Sequence, residues 1–273
     1  MIDSTDISAG PALSGGLRTR GAIRQNLPNK PLMIVITVIY NGAQFLELTI
    51  QSIINQTYQN IEYIIIDGGS TDGTLDIIRK YDEYIDYWIS EPDKGIYDAM
   101  NKGIQAASDG YLWFINAGDE IYNPTTISSI FSSGISDIYY GKTALKNNNH
   151  EIINTLTAPK TLSWTDMYKG MIVSHQSIII NKKIAQPYDL QYRYVSDHDW
   201  IINALRKATY IRYVDIVFSK YLLEGFSHAN FEGCWVDRFK ILRKHYNGFS
   251  YYINFYFYYL QKLKKIIKSK VVK

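Results

Sequence analysis

Apolar and polar positions alternate in blocks from residue 33 onward. Met33–Tyr40 (MIVITVIY) is a continuous β-branched run, the pattern of a strand buried on both faces. Asn41-Gly42 breaks it, and residues 43–56 read as a helix with Phe45, Leu48, Ile50, Ile53 and Ile54 inward. Ile61–Ile66 predicts a second strand closed by Asp67-Gly68-Gly69-Ser70, then a helix over about 72–83. Tyr87–Ser90 predicts a short third strand, residues 95–107 a helix with Ile96, Ala99, Met100 and Ile104 on one face, and Tyr111–Ile115 a fourth strand. Such alternation argues for a parallel sheet covered on both faces, whose ligands bind beyond the carboxyl ends of the strands. The polar tips Tyr40-Asn41, Asp67-Gly68-Gly69 and Asn116–Asp119 all fall there. The second half is less regular: two strands over 137–155, a strand at Ser177–Ile180, a helix over Ser196–Lys207, a strand over 209–218 and a helix over 231–247.

Length and composition add boundaries. A chain of 273 residues can bury the core of one large α/β domain with an appendage. Residues 1–30 lack the apolar run of a signal peptide and are rich in Gly, Ser, Pro and Asn, which predicts a poorly ordered leader. The expected division is leader 1–30, catalytic-type domain 31–230, and helical tail 231–273. No run of about 20 apolar residues predicts a membrane span. A net charge of +3 gives no ground for a nucleic-acid partner, and the lone Cys234 excludes an internal disulfide framework. The tail is different: residues 251–260 (YYINFYFYYL) hold seven aromatics, and Lys262, Lys264, Lys265, Lys268, Lys270 and Lys273 follow with no acid. Aromatics beside lysines suit a helix lying in a membrane interface over residues 249–273; a contact with another subunit or packing on the domain are the competing readings.

Three stretches carry candidate chemistry. In Asp67–Thr74 (DGGSTDGT), glycines permit a sharp turn, and Ser70 or Thr71 can cap the next helix. Asp67 is left to bind a ligand or to hold the turn itself. In Phe114–Glu120 (FINAGDE), a strand ends in Asn116, Gly118, Asp119 and Glu120, of which Glu120 should point away from its neighbour's target. In Ser196–Trp200 (SDHDW), Ser196 and Asp199 have the spacing of a capping box, which leaves Asp197 free in the first turn. His175 and His228 stand in loops where they could touch a ligand, whereas Trp164 and Trp200 read as core and His150, His198 and His245 carry no argument.

Thr37-Val38-Ile39-Tyr40-Asn41-Gly42, Ile65–Thr74 and Ser90–Ile104 (SEPDKGIYDAMNKGI) together resemble the family 2 glycosyltransferases, in the bacterial branch that builds colanic acid, O-antigen and capsule. The resemblance runs over roughly residues 33–230. It implies an α/β fold of the GT-A type, a Rossmann-like mixed sheet flanked by helices, here with a C-terminal helical extension. It also implies an inverting transfer from a nucleotide-sugar, with UDP as the expected nucleotide, to a saccharide hydroxyl on a polyprenyl-diphosphate carrier. The setting it implies is cytoplasmic, on the inner face of the plasma membrane. Donor contacts map to Thr37, Tyr40, Asp67, Asp93, Lys94, Asn116 and Gly118, where Lys94-Gly95 opens a helix whose free N–H groups suit an anion. The family's D-x-D site for Mg²⁺ or Mn²⁺ maps to Asn116–Asp119, with Asp119 its one remaining acid. One carboxylate suffices when phosphate oxygens and waters complete the shell, so metal should bind only with the donor diphosphate. The catalytic base maps to Asp197, and His175 and His228 lie toward acceptor and donor. A sugar nucleotidyltransferase is a weaker reading, since Thr37–Gly42 holds no Lys or Arg for a triphosphate; a non-catalytic sugar-nucleotide-binding module is the other alternative. No G-x-G-x-x-G follows the first strand, which disfavours a dinucleotide enzyme.

Overall fold

The computed structural model describes residues 12–223, 230–246, 248, 252–256, 258, 259 and 262. Strands β1 (Leu13–Gly15), β2 (Met33–Ile39), β3 (Ile61–Asp67), β4 (Tyr87–Ser90) and β5 (Tyr111–Phe114) are interleaved with helices α1 (Ala43–Ile54), α2 (Thr74–Lys80) and α3 (Ile96–Ala106). The chain continues through β6 (Glu120–Ile121), α4 (Thr126–Ser132), β7 (Ile138–Lys146), β8 (Ile152–Leu156), β9 (Ile178–Asn181), α5 (Ser196–Lys207), β10 (Ile211–Leu222) and α6 (Phe231–His245). Among the described residues the strands form one mixed sheet, ordered β1-β4-β3-β2-β5-β9-β7-β10-β6, with β8 paired to β7.

The β2 run is apolar throughout because successive side chains point to opposite faces and both faces are covered. Ile34, Ile36 and Val38 enter one core with Met100 of α3 and Trp200 of α5; Met33, Val35 and Ile39 enter the other with α1 and α4. A Cβ on Gly103 would stand 2.5 Å from Ile36 Cγ2, so only glycine lets α3 lie this close to β2. In α1 the buried positions are Leu46, Thr49, Ile50 and Ile53, whereas Leu48 is turned outward. The predicted face holds at Ile50 and Ile53, with Ile54 packed on the same core, and departs from prediction where Leu46 and the polar Thr49 take inward places, Thr49 tying the loop after β5 to the helix.

β2 is parallel to β3 and β5, and β3 to β4, so their carboxyl ends fall along one edge. β10 runs further than predicted, to Leu222, because its polar end pairs with both β7 and β6. That extension carries Tyr221 into the same region.

The expectation of a poorly ordered leader fails from residue 12 onward. β1 is an antiparallel edge strand on β4. Arg18 pairs with buried Glu62 and donates to the Ala106 carbonyl at 2.6 Å, and Arg24 pairs with buried Asp86 at 2.8 Å. A Gly/Ser-rich stretch shows no apolar period, but an edge strand needs only backbone partners, and the arginines neutralise two acids that burial would otherwise make costly.

Candidate active site

The tips of β2 and β3 are stitched together by side chains. Asn41, a non-glycine residue at φ 48°, accepts from Thr71 N at 2.9 Å, while its own N–H donates to Ser70 Oγ at 2.8 Å. Asn tolerates this left-handed conformation better than most residues. Asp72 accepts from Ala43 N at 3.0 Å. Above this frame Tyr40 is 66% exposed. A Cβ on Gly68 would meet Asp93 Oδ2 at 2.4 Å and Tyr40 Cδ2 at 3.4 Å, so Tyr40, the Gly68 backbone and Asp93 converge on one small surface.

Two expected donor contacts are not on that surface. Thr37 is fully buried and donates to the Ile115 carbonyl at 2.7 Å, bracing β2 against the end of β5. Asp67 is also fully buried; it accepts from Ser70 N at 3.0 Å, from Ser70 Oγ and from Ser90 Oγ at 2.6 Å. Of the two roles open to it, it holds the turn. At the start of α3 the chain itself takes two of the N–H groups: Asp93 Oδ1 accepts from Gly95 N at 2.7 Å and Asp98 Oδ2 from Lys94 N at 3.0 Å, whereas no side chain caps the first turn of the helix. The Lys94 side chain remains exposed.

The tip of β5 is built differently. Gly118, at φ +99°, turns the chain, and its N–H is spent on Thr49 Oγ1 at 3.1 Å, so it shapes the loop without offering a donor. Asp119 is 4% exposed and accepts from Leu222 N at 3.0 Å. Burial pushes its carboxyl up to about 7, against the opposing pull of the Leu222 N–H, Lys146 and Gln176. Glu120 faces elsewhere, bound to Lys146 and, at 2.8 Å, to Lys220. Asn116 Oδ1 is buried without a hydrogen-bond partner. An orphan amide oxygen and a carboxylate in one turn, whose backbone closes with Asp119 N donating to the Asn116 carbonyl at 2.9 Å, are oxygen donors of the type that suits a hard divalent cation. Among the described residues no group of three His, Cys, Asp or Glu side chains could hold a metal, so Asn116 and Asp119 make up only part of a shell.

Asp197 opens onto a cleft of about 510 Å³, together with His175, Gln176 and Tyr221. Tyr97 Oη lies 3.0 Å from Asp197 Oδ1 and 3.1 Å from the Tyr194 carbonyl. Burial, then the Asp197 charge, raises the Tyr97 hydroxyl well above its ordinary pKa, which keeps it a donor toward the carboxylate. Tyr221 is pushed up to about 12 by burial and then by both Asp119 and Asp197, so the two acids share one neighbourhood. His175 is buried, stacks on Phe114 at 5.3 Å and shares a 2.8 Å hydrogen bond with Tyr188; burial lowers its pKa and holds it neutral. His228 lies outside the described residues.

The capping box expected at Ser196 and Asp199 does not form. Ser196 Oγ donates to the Asp189 carbonyl, and Asp199 turns inward to His245 Nε2 at 2.6 Å and Lys244 Nζ at 3.1 Å. Burial opposes the Asp199 charge, but those two partners hold its carboxyl below the usual range. His245 thus gains a task that nothing in its local sequence announces. Gln176, Tyr221, Trp235 and Arg238 also line the cleft and were not anticipated. Trp235 and Arg238 are three apart, hence on one helical face, a signal the sequence did carry.

Residues 34–133 match the sequence profile of Glycosyl transferase family 2. An uncharacterized glycosyltransferase of Mycobacterium tuberculosis is 30% identical over 189 residues, spanning 65% of this chain and 70% of the relative. The crystal structure of Staphylococcus aureus TarS 1-349 in complex with UDP-GlcNAc is similar at TM-score 0.60 and 17% identity, covering 77% of this chain and 65% of that one. A mannosyltransferase from Pyrobaculum calidifontis in complex with GDP-Man and Mn²⁺ is similar at TM-score 0.52 and 15% identity, covering 84% and 68%. The chain therefore spans about two thirds of the length of these solved structures, and their likeness bears on the fold.

Proposed function

Since the chain belongs to glycosyl transferase family 2, with the GT-A sheet, we propose that it moves a sugar, with inversion, from a UDP-sugar to a hydroxyl of a lipid-linked saccharide in bacterial surface-polysaccharide synthesis. The observation that carries this reading is Asp197, the one carboxylate among the described residues lining the cleft, set in the neighbourhood of Asp119. A single displacement needs one base and no protein nucleophile. Asp197 takes the proton of the acceptor hydroxyl as its oxygen attacks the anomeric carbon. Tyr97 holds the Asp197 oxygen in place. Cys234 also lines the cleft, but burial, then Asp197, raises its thiol pKa, which leaves it a poor nucleophile. Tyr40, Gly68 and Asp93 form the surface for the base and ribose. Asp119 and Asn116 would hold Mg²⁺ or Mn²⁺, which when bound neutralises the departing diphosphate. TarS with UDP-GlcNAc and the mannosyltransferase with Mn²⁺ support the nucleotide and the metal.

Calorimetry tests the metal site. Mn²⁺ alone should bind negligibly, and Mn²⁺ with UDP should bind well. Because burial pushes the Asp119 carboxyl up to about 7, a proton competes with the cation below that value. The Mn²⁺-dependent part of UDP affinity should fall about tenfold per pH unit below 7 and level off above it. Tight binding of Mn²⁺ without nucleotide contradicts the assignment.

The tail supports attachment to an anionic leaflet. Residues 252–256, 258, 259 and 262 are helical, and Tyr252, Tyr256 and Tyr259 are exposed at helical spacing on one face, ahead of the lysines. Among the described residues no helix is long and apolar enough to cross a membrane. Each lysine near such a surface adds about 1 kcal/mol. Sedimentation with vesicles should show binding that depends on anionic lipid and is lost when the chain ends at residue 248; equal binding to neutral vesicles argues against it.

A further inference from the structure

The cleft holds one more charged group, and the mechanism leaves it without a task. Arg238, on α6, lines the cleft with Asp197, and its guanidinium lies over the Trp235 ring at 4.7 Å. Its Nη2 donates to Asn254 Oδ1 and, at 3.5 Å, to the Tyr168 carbonyl; its Nε is buried with no hydrogen-bond partner. No carboxylate pairs with it among the described residues. The adjacent Asp237 is engaged elsewhere, accepting from Tyr194 N at 2.9 Å and pairing with Lys240 at 3.7 Å. Room for the guanidinium depends on Gly170, at φ +117°, where a Cβ would stand 2.7 Å from Nη1.

A guanidinium offers five donors in a fixed fork, and here most of them are unspent. Burying such a cation without an anion is costly, and the cost shows in the lowering of its pKa to about 10 by burial alone. A cation held at this cost in a cleft has the form of a receptor for an anionic ligand group. The lining of the cleft includes apolar Leu145, Leu156, Met171, Leu223 and Trp235 beside polar Thr143, Thr157, Ser174, Gln176 and Tyr221. The apolar members offer contact to a hydrocarbon. Leu156 and Met171 are 46% and 38% exposed, so the apolar surface continues out of the cleft.

We propose that Arg238 recognises a phosphate or carboxylate group on the acceptor, with an adjoining apolar part of that molecule lying against Trp235 and Leu156. The C-terminal helix keeps Arg238 in position: Asn254, buried, accepts from the guanidinium and donates to the Tyr168 carbonyl at 2.8 Å, while Tyr258 packs on Trp235 at 5.4 Å. The tail is thus a structural part of the acceptor site. This inference rests on reading the cleft as the acceptor's. It makes Arg238 a binding residue and Asn254 a positioning residue.

The test uses the full chain and three probes by calorimetry: decyl phosphate below its micelle concentration, decanol, and inorganic phosphate. UDP with Mn²⁺ is titrated in parallel. Decyl phosphate should bind more tightly than either fragment. Arg238→Met should weaken it by at least about tenfold, Arg238→Lys by less, and Asn254→Ala by about threefold, with UDP affinity unchanged throughout. Asn254→Ala retains the cation and guards against a folding failure in Arg238→Met. Unchanged decyl phosphate binding in both variants overturns the proposal. So does a parallel loss of UDP affinity, which would assign Arg238 to the donor diphosphate, or inorganic phosphate binding as tightly as decyl phosphate. A failure of the broader functional reading appears separately, as wild-type protein that does not bind UDP.

Discussion

Asp197→Asn should retain UDP affinity within about twofold and lose on the order of 10³ in the rate of transfer. The amide keeps the shape of the side chain and still accepts from Tyr97, so neither the fold nor the donor surface is disturbed. What it loses is the ability to take a proton. No other carboxylate among the described residues lines the cleft, and His175, buried and hydrogen-bonded to Tyr188, is poorly placed to substitute. Transfer within tenfold of wild type, measured as acceptor-dependent release of nucleotide, would remove Asp197 from the mechanism.

The second large effect is on stability. Asp199→Ala should cost about 2–3 kcal/mol, because it leaves the buried His245 Nε2 without its hydrogen-bond partner and takes from Lys244 one of its two carboxylates, Asp189 being the other. Asp199 is 2% exposed and joins α5 to the end of α6, where Arg206 also donates to the His245 carbonyl at 2.9 Å. For a chain of this size the loss corresponds to a fall in Tm on the order of 10 °C. Thermal unfolding by circular dichroism measures it; a fall under about 2 °C would mean that the pair contributes little.

Much of the first half was legible because its physics is local. β2, β3 and β5 are apolar runs closed by glycine or asparagine, and both the strands and their polar tips stand where the pattern put them. FINAGDE was read as one acid with a shaping turn, and the structure shows a glycine with positive φ, a buried Asp119 and an orphan Asn116 oxygen. What local pattern could not supply was the partner of each polar group. Thr37 and Asp67 have the residue type and place of ligand contacts, yet their hydrogen bonds go to Ile115, Ser70 and Ser90. Ser196 and Asp199 have capping-box spacing, but a carboxylate prefers a histidine and a lysine 46 and 45 residues away to a backbone N–H in its own turn. The same limit hid Arg18 and Arg24, whose acids lie 44 and 62 residues on. It also hid the cleft, which is assembled from β7, β10, the first turn of α5, α6 and the loop before β9.

The central claim, a nucleotide-sugar transferase with a one-aspartate metal site, is tested most directly by release of free nucleotide from a panel of nucleotide-sugars, with and without EDTA, for wild type and Asp119→Asn. Wild type should turn over a UDP-sugar, slowly by hydrolysis when no acceptor is present. EDTA and Asp119→Asn should each lower that rate by on the order of 10². Release that is insensitive to both, or absent for every nucleotide-sugar in the panel, would contradict it.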